Sequence, residues 1–254
     1  MNLLYNFIIA FAMYSKIPMP RIDWTEERMR YTMCFFPLIG AVIGAVMLLW
    51  ARFGMAVTGN ASLYAAIMVL IPIVITGGIH LDGLLDTADA LSSYKTMEEK
   101  LEILKDSHAG AFAIIVGCAY FILNYGVCHA MDFERMKVLA VGFVLSRALS
   151  GFAVVTFQNA RKKGLAATFA EAAQKRTVQI AMIGYMILCL VIMIMMDPVI
   201  GVLCYVTAVL VFIWYRFMSY KKFGGITGDL AGFFLQVAEL AMALVVVISS
   251  NLLH

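Results

Sequence analysis

The chain has 254 residues, of which 63% are hydrophobic and only 14% charged, with a mean hydropathy of +0.90. A soluble domain is about half apolar and a quarter charged, so a water-soluble fold is excluded and a polytopic membrane protein is expected. The net charge of +3 includes no basic stripe interleaved with aromatics, which argues against a nucleic-acid partner.

Met1 to Met13 lacks a basic leading region and a small-residue cleavage site, so it does not read as a signal peptide. The apolar run 1–14 is too short to span and reads as re-entrant or interfacial, and Trp24 suits an interface. Apolar runs of roughly 20 residues mark spanning helices. They fall near 33–52, 61–79, 109–130, 137–158, 178–196, 199–217 and 231–250. The expected fold is all-α: one integral membrane domain over 1–254, a bundle of about seven spanning helices plus a short N-terminal helix.

The connections alternate in charge. Segments 15–32, 80–108, 159–177 and 218–230 hold fourteen of the nineteen basic residues, which places them on the cytoplasmic side. Within 80–108, Asp86 to Ser93 and Thr96 to Lys105 are predicted as short amphipathic helices, and Thr96 with Glu99 fits a capping box. Asp197-Pro198 predicts a tight turn on the other side. Cys34, Cys118, Cys128, Cys189 and Cys204 each sit alone in apolar sequence and read as small buried hydrophobes.

The chemistry gathers at Thr76 to Asp89, T-G-G-I-H-L-D-G-L-L-D-T-A-D. Offsets of four and seven put Asp82, Asp86 and Asp89 on one face if the segment is helical. Such a row repels itself, and no basic residue lies between Arg52 and Lys95 to pair with it. A hard divalent cation with oxygen ligands answers that charge, and Mg²⁺ is usually held by one or two carboxylates plus substrate phosphates. Gly77, Gly78 and Gly83 would let a ligand approach the backbone. His80 would orient a carboxylate or touch phosphate.

Three further stretches belong to the same side. In Lys105-Asp106-Ser107-His108, Asp106 offers another carboxylate and the neighbouring polar residues could meet phosphate; the plain alternative is that Asp106 and Ser107 cap the helix beginning near Ala109. Gly224-Gly225-Ile226-Thr227-Gly228-Asp229 opens a helix, where free N–H groups and the dipole favour anions, while Asp229 suits a metal or a base. Arg147, mid-helix, must face inward and pair with Glu239 or a bound anion. Acids and glycines collected on one side suit Mg²⁺-dependent transfer of a phosphoryl group between membrane-associated substrates.

These residues resemble the cobalamin synthase family, the adenosylcobinamide-GDP ribazoletransferases. G-G-I-H-L-D-G-L-L-D-T-A-D at 77–89 is similar to its signature, and F-P-L-I-G at 36–40, D-S at 106–107, S-R at 146–147, A-R-x-x-G-L at 160–165 and G-G-x-T-G-D at 224–229 follow in order. Ala90, His108 and Gln158-Asn159 depart from the family pattern.

The resemblance implies joining adenosylcobinamide-GDP to α-ribazole or its 5′-phosphate with release of GMP, requiring Mg²⁺, in a bacterial or archaeal inner membrane. It implies that Asp82, Asp86 and Asp89 hold Mg²⁺. Asp106 and Asp229 become further ligands or the base, and Arg147, Arg161, Ser107, Thr227 and Gly228 contact substrate. Two rival readings are a CDP-alcohol phosphotransferase, whose D-x-x-D-G-x-x-A-R pattern is absent, and a cation transporter, which would spread its acids through the membrane. Oligomeric state stays open.

Overall fold

The computed structural model describes residues 3–106, 108–161 and 164–253, without the side chains of Leu165 and Leu253. All regular structure among them is helical apart from one isolated two-strand bridge, Asn159 with Ile226. The helices are α1 (Leu3–Tyr14), α2 (Glu26–Met29), α3 (Phe36–Thr58), α4 (Ala61–Thr76), α5 (Ile79–Ser92), α6 (Met97–Ile103), α7 (Ala111–His129), α8 (Phe133–Thr156), α9 (Leu165–Ala172), α10 (Lys175–Met196), α11 (Pro198–Phe223) and α12 (Gly228–Leu253). A 3₁₀ turn, Thr32–Phe35, leads into α3.

Six of these are long and apolar enough to cross a bilayer: α3 with its leading turn, α7, α8, α10, α11 and α12. The bent pair α4 and α5 makes a seventh if taken as one span. Pro37 opens α3, and Gly59 in the left-handed region closes it. Asn60 caps α4 by accepting the Leu63 N–H at 3.0 Å. Asp197 caps α11 in the same way, its Oδ1 accepting from Val199 and Ile200 at 3.0 and 2.9 Å, with Pro198 first in the helix. That is the predicted tight turn.

The centre of the bundle is α8, buried along most of its length. It meets α3 backbone to backbone. A Cβ at Gly40 would stand 2.1 Å from the Phe143 carbonyl oxygen, and one at Gly44 2.6 Å from that of Ala140. Two glycines four apart are what such an approach requires. On the outside, Ile114 and Ile122 of α7, Ile187 of α10 and Leu210 and Phe217 of α11 face away from the protein. A belt of that breadth is covered by lipid.

The helix α1 is 12 residues long, about 18 Å and short of the hydrocarbon thickness. It is docked inward through Ile9 and Phe11, and Asn6 Oδ1 accepts the Tyr31 N–H at 2.7 Å. All five cysteines are free thiols; Cys128, Cys189 and Cys204 are buried as expected, whereas Cys118 is exposed on α7.

The acid stretch departs from its predicted layout. The helix starts at Ile79 rather than near Asp86, and it takes in all three acids. Gly77 and Gly78 stand at φ +67° and +79°, a conformation glycine alone adopts freely. They end α4 and restart the chain as α5 at an angle of 96°, so α5 turns out of the line of α4 instead of continuing it. The next helix, α6, begins as expected, with the Thr96–Glu99 capping box in place.

The four basic connections meet at one end of the bundle. The Gln174 N–H donates to the Arg30 carbonyl at 2.9 Å, and the Arg161 guanidinium donates to that of Leu101. Ala160 and Ile226 exchange backbone bonds with their neighbours, Ala160 N–H to Ile226 O at 2.8 Å and Ile226 N–H to Gln158 O at 2.9 Å.

Candidate active site

Two glycines let α5 settle onto α12. A Cβ at Gly83 would lie 2.5 Å from the Asp229 carbonyl oxygen, and one at Gly232 3.0 Å from that of His80. Leu84, Thr87 and Ala88 bury the inner face of α5. This crossing brings Asp229, in the first turn of α12, to the Asp82–Asp86 row.

The loop before α12 is held from both sides. Gly224, at φ +75°, closes α11, and Gly225, at φ +156°, leaves no room for a Cβ, which would meet the Gln158 carbonyl oxygen at 2.4 Å. Thr227 Oγ1 accepts the Leu230 N–H at 3.2 Å, capping α12, and also lies 3.3 Å from Asp229 Oδ2. Arg161 Nη1 stands 3.5 Å from Asp229 Oδ2. Its Nε is buried with no partner among the described residues. The result is three carboxylates, one guanidinium and a helix N-terminus at one end of the bundle.

That excess of negative charge shows on Asp86, whose carboxyl is pushed up to about 6. Burial is the largest cause, followed by the charges of Asp82, Asp229 and Asp89; Arg161 opposes them. In metal-free protein the folded state therefore binds more protons than the unfolded one between ~4 and ~6. Stability should fall as pH rises through that window and level off above it. Thermal unfolding of chelator-treated protein in detergent should show the falling midpoint, and Asp86→Asn should flatten the profile. A slope unchanged in the variant would place the crowding elsewhere.

Asp89 has a different setting from its two neighbours. Its Oδ2 accepts the Gly110 N–H at 2.6 Å and its Oδ1 the Ala113 N–H at 2.9 Å. It caps α7 from another helix, the place the sequence offered to Asp106 and Ser107. Asp106 is instead turned to His108: its Oδ1 accepts the His108 N–H at 3.0 Å and lies 2.7 Å from His108 Nδ1, which holds the carboxyl below its usual range. Ser107, and Lys162 and Lys163 beside Arg161, lie outside the described residues.

His80 is buried between the rings of Tyr14 and Phe36, with centroids 6.3 and 6.0 Å away, and its Nε2 has no partner among the described residues. The approach expected of a ligand at Gly77 and Gly83 is made by protein atoms, Lys16 at the first and Asp229 at the second; a Cβ at Gly78 would meet only Ile73 Cγ2, at 4.0 Å. Arg147 is 0% exposed and pairs with Glu239, Nη1 to Oε1 at 2.5 Å. Ser146 Oγ donates to the same oxygen at 2.8 Å.

The acids are hard oxygen donors in excess over cations, which matches a hard divalent ion. Among the described residues no three acids, histidines or cysteines stand close enough to enclose an ion by themselves. Mg²⁺ does not need such a cage, since it keeps several waters and takes other oxygens from substrate phosphate. Asp82 and Asp86 fit it on those terms.

The sequence profile described as cobalamin-5-phosphate synthase matches residues 6–247. The chain belongs to that family. It is 48% identical to the adenosylcobinamide-GDP ribazoletransferase of Lachnoclostridium phytofermentans over 100% of this chain and 97% of that protein. It is 30% identical to the protein of that name from Desulfitobacterium hafniense (strain Y51) over 93% of this chain and 94% of the relative. The one from Clostridium botulinum (strain Alaska E43 / Type E3) is 29% identical over 94% and 95%. No solved structure matches the chain. Residues 77–89, which carry the sequence resemblance, form the acid helix α5 and the elbow before it.

Proposed function

We propose that this family member transfers the adenosylcobinamide phosphoryl group from adenosylcobinamide-GDP to α-ribazole or its 5′-phosphate, releasing GMP, at an inner membrane with the α5 end facing the cytoplasm. The observation that carries the reading is the convergence of Asp82, Asp86, Asp229 and Arg161 at the end where the basic connections meet. That basic excess supports the orientation.

In the reaction the ribazole hydroxyl oxygen bonds to the phosphorus next to the corrinoid. The bond from that phosphorus to the bridging oxygen breaks, and GMP departs with that oxygen. Asp82 and Asp86 would hold Mg²⁺, which would supply neutralisation of charge on the pyrophosphate and on the leaving group. Arg161, fixed by Asp229 and Leu101, steadies a phosphate oxygen. Asp229, at the cluster and tied to Thr227, takes the hydroxyl proton, a task Asp106 is less well placed for because His108 occupies it. Asp89 anchors α5 to α7. The transporter reading needed acids through the membrane; Glu239 is a deep one, and Arg147 neutralises it.

The test is GMP release by the purified protein given adenosylcobinamide-GDP and α-ribazole. Release should depend on Mg²⁺, vanish with excess chelator and return when Mg²⁺ is restored. Protein that stays folded yet forms no GMP in the presence of Mg²⁺ would overturn the assignment.

A further inference from the structure

Lys16 follows α1 and, by its charge alone, passes for one more interfacial anchor. Its surroundings are specific. Its N–H donates to the Ile75 carbonyl in the last turn of α4 at 2.7 Å. Its side chain then crosses the face of Gly77, where a Cβ would meet Lys16 Cε at 2.1 Å, Cγ at 2.7 Å and Cδ at 2.9 Å. Three carbons of the stem therefore lie against the bare Cα of the glycine that begins the elbow into α5.

Ser15 fixes the approach. Its hydroxyl donates to the Phe11 carbonyl at 2.6 Å and accepts the Ile17 N–H at 3.3 Å. Lys16 is exposed, and its ammonium makes no hydrogen bond or ion pair among the described residues. Holding a flexible stem gives up rotamer freedom, so a held cation with no protein partner among the described residues points to a partner that comes and goes. Gly77 is five positions before Asp82 (82 − 77 = 5). Arg161 acts on Asp86, whereas Lys16 is not among the charges that do. Lys16 is therefore placed by its stem at Gly77, the elbow end of the acid helix, and Arg161 by its ion pair with Asp229.

We infer that Lys16 is a substrate-binding residue whose ammonium, steered over Gly77, contacts a phosphate oxygen of a bound substrate at the elbow end of the acid helix. The inference rests on the proposed phosphoryl transfer and adds a second cation to it. A lysine suits the role as a compact point charge with rotatable donors. The phosphate has two sources, the pyrophosphate of adenosylcobinamide-GDP or the 5′-phosphate of the acceptor. The competing explanation is that Lys16 only complements the negative end of the α4 dipole.

The experiment compares wild type, Lys16→Gln and Lys16→Arg. If Lys16 meets the donor, Lys16→Gln should raise KM for adenosylcobinamide-GDP about tenfold with either acceptor, the loss of one charge-assisted hydrogen bond. If it meets the acceptor, KM should rise only for α-ribazole 5′-phosphate and not for α-ribazole. Lys16→Arg should recover most of the loss in either case. A lower thermal midpoint with both KM values unchanged would make Lys16 structural and overturn the inference. Inorganic pyrophosphate with Mg²⁺ gives a readout that needs no turnover: it should raise the unfolding midpoint of wild type more than that of Lys16→Gln. Equal shifts in a protein that also fails to distinguish the variants kinetically would sink the role. Absence of GMP release by wild type would instead sink the function beneath it, leaving the pyrophosphate comparison to decide Lys16.

Discussion

Asp82→Asn and Asp86→Asn should each cut GMP release on the order of 10²–10³-fold, the usual loss when one preorganised charge stabiliser is removed. Asparagine keeps the volume and one oxygen but gives up the charge, so α5 keeps its seat on α12 through Gly83 and Gly232. Both variants should elute as folded protein. Asp86→Asn should even relieve the crowding that lifts its carboxyl. An enzyme that turns over slowly while losing no stability separates ligand from scaffold. Asp89→Asn should show the reverse balance. It loses about 1 kcal/mol of stability, because only one of its two oxygens remains to cap α7, while its turnover falls less. Turnover near wild type at saturating Mg²⁺ in either Asp82→Asn or Asp86→Asn would remove that residue from the ligand set.

Arg147→Met should fail to accumulate as folded protein. The guanidinium Nη1 serves Glu239 at 2.5 Å, the Phe143 carbonyl at 2.9 Å and Ser146 Oγ at 3.2 Å, with the side chain 1% exposed. Removing it strands the Glu239 charge inside the bundle, which costs roughly 3–5 kcal/mol against a total stability of about 5–15 kcal/mol. Arg147→Met with Glu239→Gln removes both charges and should restore the folded fraction measured by size exclusion. Restored GMP release in the same protein would make the pair an internal brace. A folded but inactive double variant would instead show that Arg147 reaches substrate.

Much of this architecture is legible in the sequence because lipid imposes a strong pattern: runs of about 20 apolar residues have one structural outcome. The Arg147–Glu239 pair could be foreseen for the same reason, since neither charge tolerates lipid alone. The acid row on one helix face followed from spacing.

What the sequence hid depends on partners far along the chain. Asp89 caps a helix that starts 22 positions later (111 − 89 = 22), and no local pattern marks a cap supplied from another helix. Gly77 and Gly83 announced that something approaches closely, but glycine does not say whether the visitor is a ligand, a lysine stem or a neighbouring helix. Asp229 joined the acids only through the α5–α12 crossing. The boundary of α5 was missed because two glycines at positive φ turn the chain without spending any residues on a loop.

The seating of α5 on α12 also has a consequence for how the protein is made. Asp82 and Asp229 are 147 positions apart (229 − 82 = 147). At about 5–20 residues per second, the ribosome finishes the acid row roughly 7–30 s before it reaches the helix start that completes the cluster. Over that interval the inner face of α5, Leu84, Thr87 and Ala88, has no α12 to bury it. The chain must keep a partly polar helix parked at the membrane surface while α7, α8, α10 and α11 insert. The acid cluster is therefore a property of the finished insertion sequence and of no earlier stage, and a nascent chain halted before α12 carries Asp82 and Asp86 without the Asp229 that completes it.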